Sequence, residues 1–288
     1  MRSKFDMELE KLKREMTAMG MLCENAIAKA SHALVNCSPK LAAELPELLN
    51  QITPIVERSR KITRYYSERK AENRVSLSIA AQRYPFCAKA FVEFLHLREE
   101  PRIEVSFKEV EMSAVIEQVA QQQSDLGVIF VSDMTEHFIR RILEGRNLEF
   151  HQLARLRPHV FMRRGHPLSG EASVTPEQLH QYPYAAFTQS DTNLNYAEEV
   201  VVGTAADFNQ VVYVSDRATI YSVIAHTNCV STGSGVLPEG FGDDRLVTVP
   251  LTGQHDMRLG YIKLRSVPLS ESGKEFVDIL QQILKELE

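Results

Sequence analysis

The chain has 288 residues, 44% of them hydrophobic and 25% charged, with a net charge of -5. Those values describe one large or two modest globular domains and exclude a disordered chain, a fibrous repeat and a disulfide-held miniprotein. Charge is unevenly spread: residues 1–72 hold 13 Lys and Arg against 10 Asp and Glu, leaving 20 against 28 for the remainder, so neither part binds nucleic acid on charge alone.

The N-terminus, MRSKFDMELEKLKREM, is charged throughout where a signal peptide needs an apolar run, and the longest apolar stretches, at 126–131 and 200–202, are far too short to span a bilayer. The reading is therefore a cytoplasmic chain with no membrane association. Phe5, Leu9, Leu12, Met16, Met19, Cys23 and Ala26 recur at steps of three and four, which predicts an amphipathic helix ending near Asn36 to Pro39. A second stripe, Leu41, Leu45, Leu48, Ile52, Ile55, Ser59, Ile62 and Tyr66, steps by four and three in turn and forms a heptad seam that asks for a partner helix. Pro46 and Pro54 kink that helix or delay its start. The basic run from Arg58 to Lys70 reads as a solvated face complementing the helix C-terminus.

From residue 74 strands and helices alternate. Strands are predicted at 75–80, 103–109, 126–131, 157–162, 184–187, 211–214 and 258–264. Helices are predicted at 85–97, 113–123, 134–143, 176–181, 218–225 and 270–287, with Thr175 and Ser270 as caps. Such alternation implies a parallel sheet with right-handed crossovers.

Cys23, Cys37, Cys87 and Cys229 lie far apart without a CxxC pattern and read as reduced, buried small hydrophobes. The nine histidines are never spaced as metal ligands, so no metal site is expected. There is no P-loop and no G-x-S-x-G elbow. The STGSG stretch at 231–235 lacks the third glycine of a dinucleotide fingerprint and reads as a turn before a helix, its amides a secondary candidate for the cleft. Neither a catalytic residue nor a cofactor is expected.

Residues 73–288 resemble the effector domain of LysR-type transcriptional regulators. The resemblance is carried by RVSLSIAAQRYPFCAKAFVEFL, VIEQVAQQQSDLGVIFVS, the HPL tripeptide followed by VTPEQLHQYPYAAF, VYVSDRATIYSVIAHTN and MRLGYIKLRSVPLSESGKEFVDIL, in that order and spacing. It implies an α/β, two-subdomain, periplasmic-binding-protein-like (type 2) fold, with subdomain one at 73–152 and 257–288 and subdomain two at 153–256. A small-molecule effector such as an organic acid or amino acid would then sit between the subdomains. The family's winged helix-turn-helix is not recognisable in the N-terminal stretch. Residues 1–36 instead resemble the first helix of PhoU, a helical-bundle regulator of phosphate uptake, and the stripe within 39–72 resembles the LysR linker helix, through which that family dimerises. The domain reading is thus a PhoU-like helix at 1–38, a dimerisation helix at 39–72 and the effector domain. A sensor without its own DNA-reading head follows, so specific DNA binding is not expected; the alternative is an adaptor of phosphate uptake.

Strand-to-helix loops at the C-terminal edge of a parallel sheet present unpaired amides and a positive helix end, which suits a small polar ligand. The candidate ligand-binding residues are accordingly Gln82 and Tyr84 in loop 81–84, Glu111 and Ser113 in loop 111–113, Ser132 in loop 132–135, Thr188, Gln189 and Ser190 in loop 188–191, and Ser215 and Thr219 in loop 215–219. Where the family often has Ser or Thr after the first strand, this chain has Ala80, Ala81 and Gln82. Asp216 and Arg217 are expected to pair with each other, the alternative being that Arg217 holds a ligand carboxylate.

The stripe makes a measurable claim about assembly. Light scattering at micromolar concentration should find a dimer, shifted toward monomer by Ile52→Asp with Ile55→Asp. A monomeric parent unaffected by these changes would mean that the two N-terminal helices fold on each other as a hairpin.

Overall fold

A computed structural model of the chain describes residues 14, 17–22, 25, 28, 74–99, 102–133, 135–188 and 207–286. Residues 17–22 are helical, as their periodicity predicts; the heptad stripe and most of the PhoU-like stretch lie outside the described residues.

The first half of the folded domain is a five-stranded sheet in the order β2-β1-β3-β10-β4. Its strands are β1 (Arg74–Ala81), β2 (Arg102–Glu109), β3 (Leu126–Ser132), β4 (Leu148–Leu156) and β10 (Met257–Leu264). Strand β3 is central, and Leu126 to Val131 are all buried, as a continuous apolar run without alternation requires. It pairs in parallel with β1, Ile79 opposite Leu126. On its other side β10 runs antiparallel, Met257 opposite Ser132 and Ile262 opposite Gly127, and β10 also pairs antiparallel with β4 from Met257–Leu156 to Leu264–Leu148. The expectation of a parallel sheet is thereby corrected: strand direction is set by where the chain re-enters the sheet after the second half, which local periodicity does not encode.

Helices α1 (Pro85–His96), α2 (Met112–Ala120), α3 (Glu136–Gly145) and α6 (Glu271–Glu286) accompany this sheet. Helix α1 has Pro85 in its first turn, where no amide partner is lost, and packs against α6. Phe86, Phe94 and Phe276 are fully buried, each contributing about 1.5–3 kcal/mol through removal of apolar surface from water. Ser270 caps α6 through Gly273 N–H to its Oγ at 3.1 Å, as predicted. Helix α2 lies so close to β3 that a Cβ on Gly127 would meet Val115 Cγ1 at 2.5 Å. Helix α3 is stopped at Asn147, whose φ of 58° is the left-handed conformation that ends helices.

The second half, between β4 and β10, is built from β5 (His159–Arg163), α4 (Pro176–Leu179), β6 (Tyr184–Phe187), β7 (Val211–Val214), α5 (Arg217–His226), β8 (Ser231–Gly233) and β9 (Leu246–Pro250). Strands β8-β5-β9 form an antiparallel sheet, and β6 pairs in parallel with β7. Helix α4 starts at Thr175 as expected, its backbone N–H donating to Gln178 Oε1 at 2.8 Å. His166 of the HPL tripeptide is buried against the Tyr182 ring, 4.5 Å between centroids, and burial holds its imidazole toward the neutral form.

Strands β4, β8 and β9 were not among the predicted elements, although Leu148, Phe150, Ala154 and Leu156 carry a period-two signal. The STGSG stretch is corrected as well: it forms β8 and a turn at Gly235, whose φ is 75°, and the next element after it is the strand Leu246–Pro250, not a helix. Cys87 and Cys229 are buried and not disulfide-bonded. Among the described residues no helix is long and apolar enough to cross a membrane.

Strand β10 is held most tightly at Gly260, beside a register shift against β4. A Cβ there would stand 2.3 Å from the His151 carbonyl oxygen and 2.5 Å from the Phe150 ring. Since the first obstacle is backbone, Gly260→Ala should destabilise the domain by about 1–3 kcal/mol, read as a lowered denaturant midpoint in chemical unfolding.

Candidate functional site

The two halves face each other across a cavity of about 110 Å³. The first half supplies the loop after β1, with Gln82, Arg83, Tyr84 and Pro85, and the start of α2, with Glu111 and Met112. The second half supplies Phe161 of β5, Tyr184, Ala186 and Phe187 of β6, Ile220, Tyr221 and Ile224 of α5, and Ser231, Thr232, Gly233 and Ser234 of β8 and its continuation.

Gln82 anchors the first wall. Its backbone N–H donates to Val128 O at 3.2 Å, while its side-chain Oε1 accepts from Phe130 N–H at 3.3 Å and from Tyr84 hydroxyl at 3.2 Å. With the oxygen so engaged, the amide orientation is determined, and the Gln82 NH2 group has no partner among the described residues. Tyr84 is also stacked on Phe86, with ring centroids 4.9 Å apart. Glu111 accepts from Ser113 Oγ at 2.9 Å. On the facing wall the Tyr184 and Thr232 hydroxyls hydrogen-bond each other at 2.6 Å, tying β6 to β8, and Tyr184 stacks on Phe208 at 4.7 Å. Ser231 and Ser234 are buried. Among the described residues no group of three or more His, Cys, Asp or Glu could hold a metal ion.

The sequence-predicted residues divide accordingly. Gln82, Tyr84 and Glu111 line the cavity, and Ser113 stands behind Glu111. Ser132 does not line it; its Oγ bonds Thr135 Oγ1 at 3.0 Å in the turn that starts α3. Thr188 lies off the wall, its N–H donating to Val214 O at 2.8 Å. Gln189 and Ser190 fall outside the described residues. Ser215 is exposed, and Thr219 is occupied with the α5 cap, its N–H and Oγ1 donating to Asp216 at 2.9 and 2.7 Å. Those two bonds hold the Asp216 carboxyl below its ordinary range.

The expected Asp216–Arg217 pair is corrected. The exposed Asp216 is the α5 N-cap, bonded to Thr219, and Arg217 pairs elsewhere: its Nε donates to Glu109 Oε1 at 2.9 Å and its Nη1 to Phe241 O at 3.0 Å.

A family model, the LysR substrate binding domain, matches residues 72–285. The chain belongs to this family. Domains of the LysR family form part of transcriptional regulators and have the type 2 periplasmic-binding-protein-like fold, so the mixed five-stranded sheet and the cavity between halves are the family's architecture. Among solved LysR-type structures, a full-length OxyR variant from Pseudomonas aeruginosa is 16% identical with a TM-score of 0.55, the match covering 84% of this chain and 80% of that one. An OxyR variant from Corynebacterium glutamicum is 14% identical with a TM-score of 0.55, covering 87% and 75%. HinK, a LysR family transcriptional regulator from Pseudomonas aeruginosa, is 15% identical with a TM-score of 0.50, covering 87% and 82%. No curated protein matches the chain by sequence.

The cavity residues that sequence reasoning missed in this LysR domain are the aromatic ones of the second half, while the small residues of 231–234 were only a secondary candidate. Phe161, Tyr184, Phe187 and Tyr221 look like core residues in a linear reading, and only the meeting of β6, α5 and β8 turns them toward a shared space. A signal did exist at Ser231 to Ser234, where four small residues in succession suit backbone approached closely by a ligand.

Gln82 offers a direct check on this geometry. Gln82→Ala strips the acceptor from the Phe130 amide, leaving a buried donor unpaired, and should cost about 1–3 kcal/mol of stability. Gln82→Glu, which keeps the acceptor, should cost less at neutral pH. The two unfolding midpoints measured side by side give the comparison.

Proposed function

We propose that the chain is a ligand-sensing regulatory protein whose cavity between the halves takes a small polar metabolite, such as an organic acid or amino acid, without transforming it. The observation that carries this reading is the Gln82 NH2 group, an uncommitted donor on the wall of a cavity that both halves line. Arg83 and the buried Ser231 and Ser234 add polar groups to the walls. Phe161, Tyr184, Phe187 and Tyr221 suit the apolar or planar body of the same ligand, in the mixture of apolar wall and few polar groups usual for small-molecule sites. In this reading the Glu111 carboxylate, which accepts from Ser113 Oγ, and the Tyr184 and Thr232 hydroxyls, which bond each other, shape the polar part of the walls.

In this reading the ligand shifts the balance of cleft geometries, and the shift passes to a second copy of the chain through the heptad stripe of residues 45–66. Regulation then works through the packing of two effector domains. Residues 1–72 carry no recognition-helix signature, so sequence-specific reading of DNA by this chain itself is not part of the proposal.

The test is a thermal-shift screen of the whole chain against amino acids, organic acids and inorganic phosphate. A ligand that binds the folded state alone at a hundred times its Kd stabilises by about 2.7 kcal/mol, and one of the first two classes should raise the melting temperature. Ala186→Phe, which fills the cavity, should abolish that rise. A ligand that stabilises parent and Ala186→Phe equally would place binding elsewhere, and a response to phosphate alone would favour a phosphate-linked role.

A further inference from the structure

Two arginines reach across the cleft in opposite directions. Arg217 comes from the second half to Glu109 at the end of β2, with Nε to Oε1 at 2.9 Å, and is braced by the Phe241 carbonyl at 3.0 Å. Arg83 comes from the first half and lies over the Phe187 ring, 4.5 Å from its centroid. The positive charge of Arg83 also acts on Asp216, the residue next to Arg217. Asp216 and Arg217, adjacent in sequence and opposite in charge, thus each feel a charge of the opposite sign from the other half.

Three features mark these contacts as more than ordinary surface pairing. The Glu109 and Arg217 side chains are only 24% and 20% exposed, so solvent screens their attraction less than it would a surface pair. Arg217 is the first residue of α5, where the positive end of the helix repels a cation, and Glu109 from the other half offsets that repulsion. Glu109 stands two residues before Glu111, which lines the cavity. The intervening Val110 donates its N–H to Ala81 O at 2.9 Å, joining this corner to the strand whose following loop carries Gln82.

We propose that the Glu109–Arg217 pair, seconded by Arg83 on Phe187, is a latch that holds the two halves together across the cleft, so that its strength sets how often the cavity opens. The latch assigns a conformational role to residues outside the ligand-contact set and builds on the ligand-sensing reading above. Opening exposes Gln82, Tyr84, Ser231 and Ser234, all at most 8% exposed in the latched form. A ligand therefore enters at a rate limited by breaking these contacts, and once inside it is retained by their re-forming.

Hydrogen–deuterium exchange on the full chain, with no ligand added, tests the latch independently of whether any effector is ever found. Arg217→Glu sets two carboxylates against each other and should raise exchange several-fold in peptides covering 82–85, 110–113 and 231–235, leaving 126–132 and 276–284 at the parent rate. Glu109→Gln removes the attraction without adding repulsion and should give a smaller rise confined to the same peptides. The exchanged pair, Glu109→Arg with Arg217→Glu, should return them toward the parent. If Arg217→Glu does not fold, Glu109→Gln decides by the same criterion. Parent-like exchange in the cleft peptides of the single variants would overturn the latch. So would a uniform rise that the exchanged pair fails to repair.

Discussion

The antiparallel insertion of β10 between β3 and β4 is the constraint on which the rest of the domain depends. Met257 to Ile262 pair with β3 on one side and Met257 to Leu264 with β4 on the other, and without them β3 and β4 would have no connection within the sheet. Because Met257 is paired to both Ser132 and Leu156, the chain leaves the first half and returns to it at one place. The second half is held at that place by two crossings, and the cavity forms where it faces the loops after β1 and β2. Gly260 sits in this junction beside a register shift against β4, with room for no Cβ against the His151 carbonyl.

Much of the fold is legible in the residues themselves, and the parts that are not have identifiable physical causes. The unbroken apolar run of β3, the Pro85 start of α1 and the Ser270 cap of α6 are local signals, and each element forms where its residues place it. Strand direction is a different matter. Nothing within Met257–Leu264 states whether it runs with or against β3, because that follows from a detour of a hundred residues through the second half. Strand β4 shows a weaker signal: Leu148, Phe150, Ala154 and Leu156 alternate, but Gln152 stands at the middle position of that face.

The site divides along the same line. The first wall comes from a loop and a helix start, places where polar residues attract notice, and Gln82, Tyr84 and Glu111 stand out there. The second wall is aromatic and small, and such residues are indistinguishable from core until the elements carrying them are assembled. Asp216 and Arg217 show how adjacency misleads. Neighbouring opposite charges suggest a local pair, yet the helix cap claims the carboxylate, and the guanidinium finds its partner 108 residues away. A short-range signal was present and correctly sensed as electrostatic; the fold redirected it.

The late return of β10 has a consequence for how the protein is made. As the chain leaves the ribosome from its N-terminus, β3 and β4 emerge long before β10, so each offers an open backbone edge throughout synthesis of the second half. The second half must therefore fold while tethered to an unfinished sheet, and the last thirty or so residues complete both. Translation that stops short of Met257 would leave two unpaired edges, one of them on β3 with its buried apolar run Leu126 to Val131. Completion of β10 is therefore the step that closes both open edges and joins β4 to the rest of the sheet.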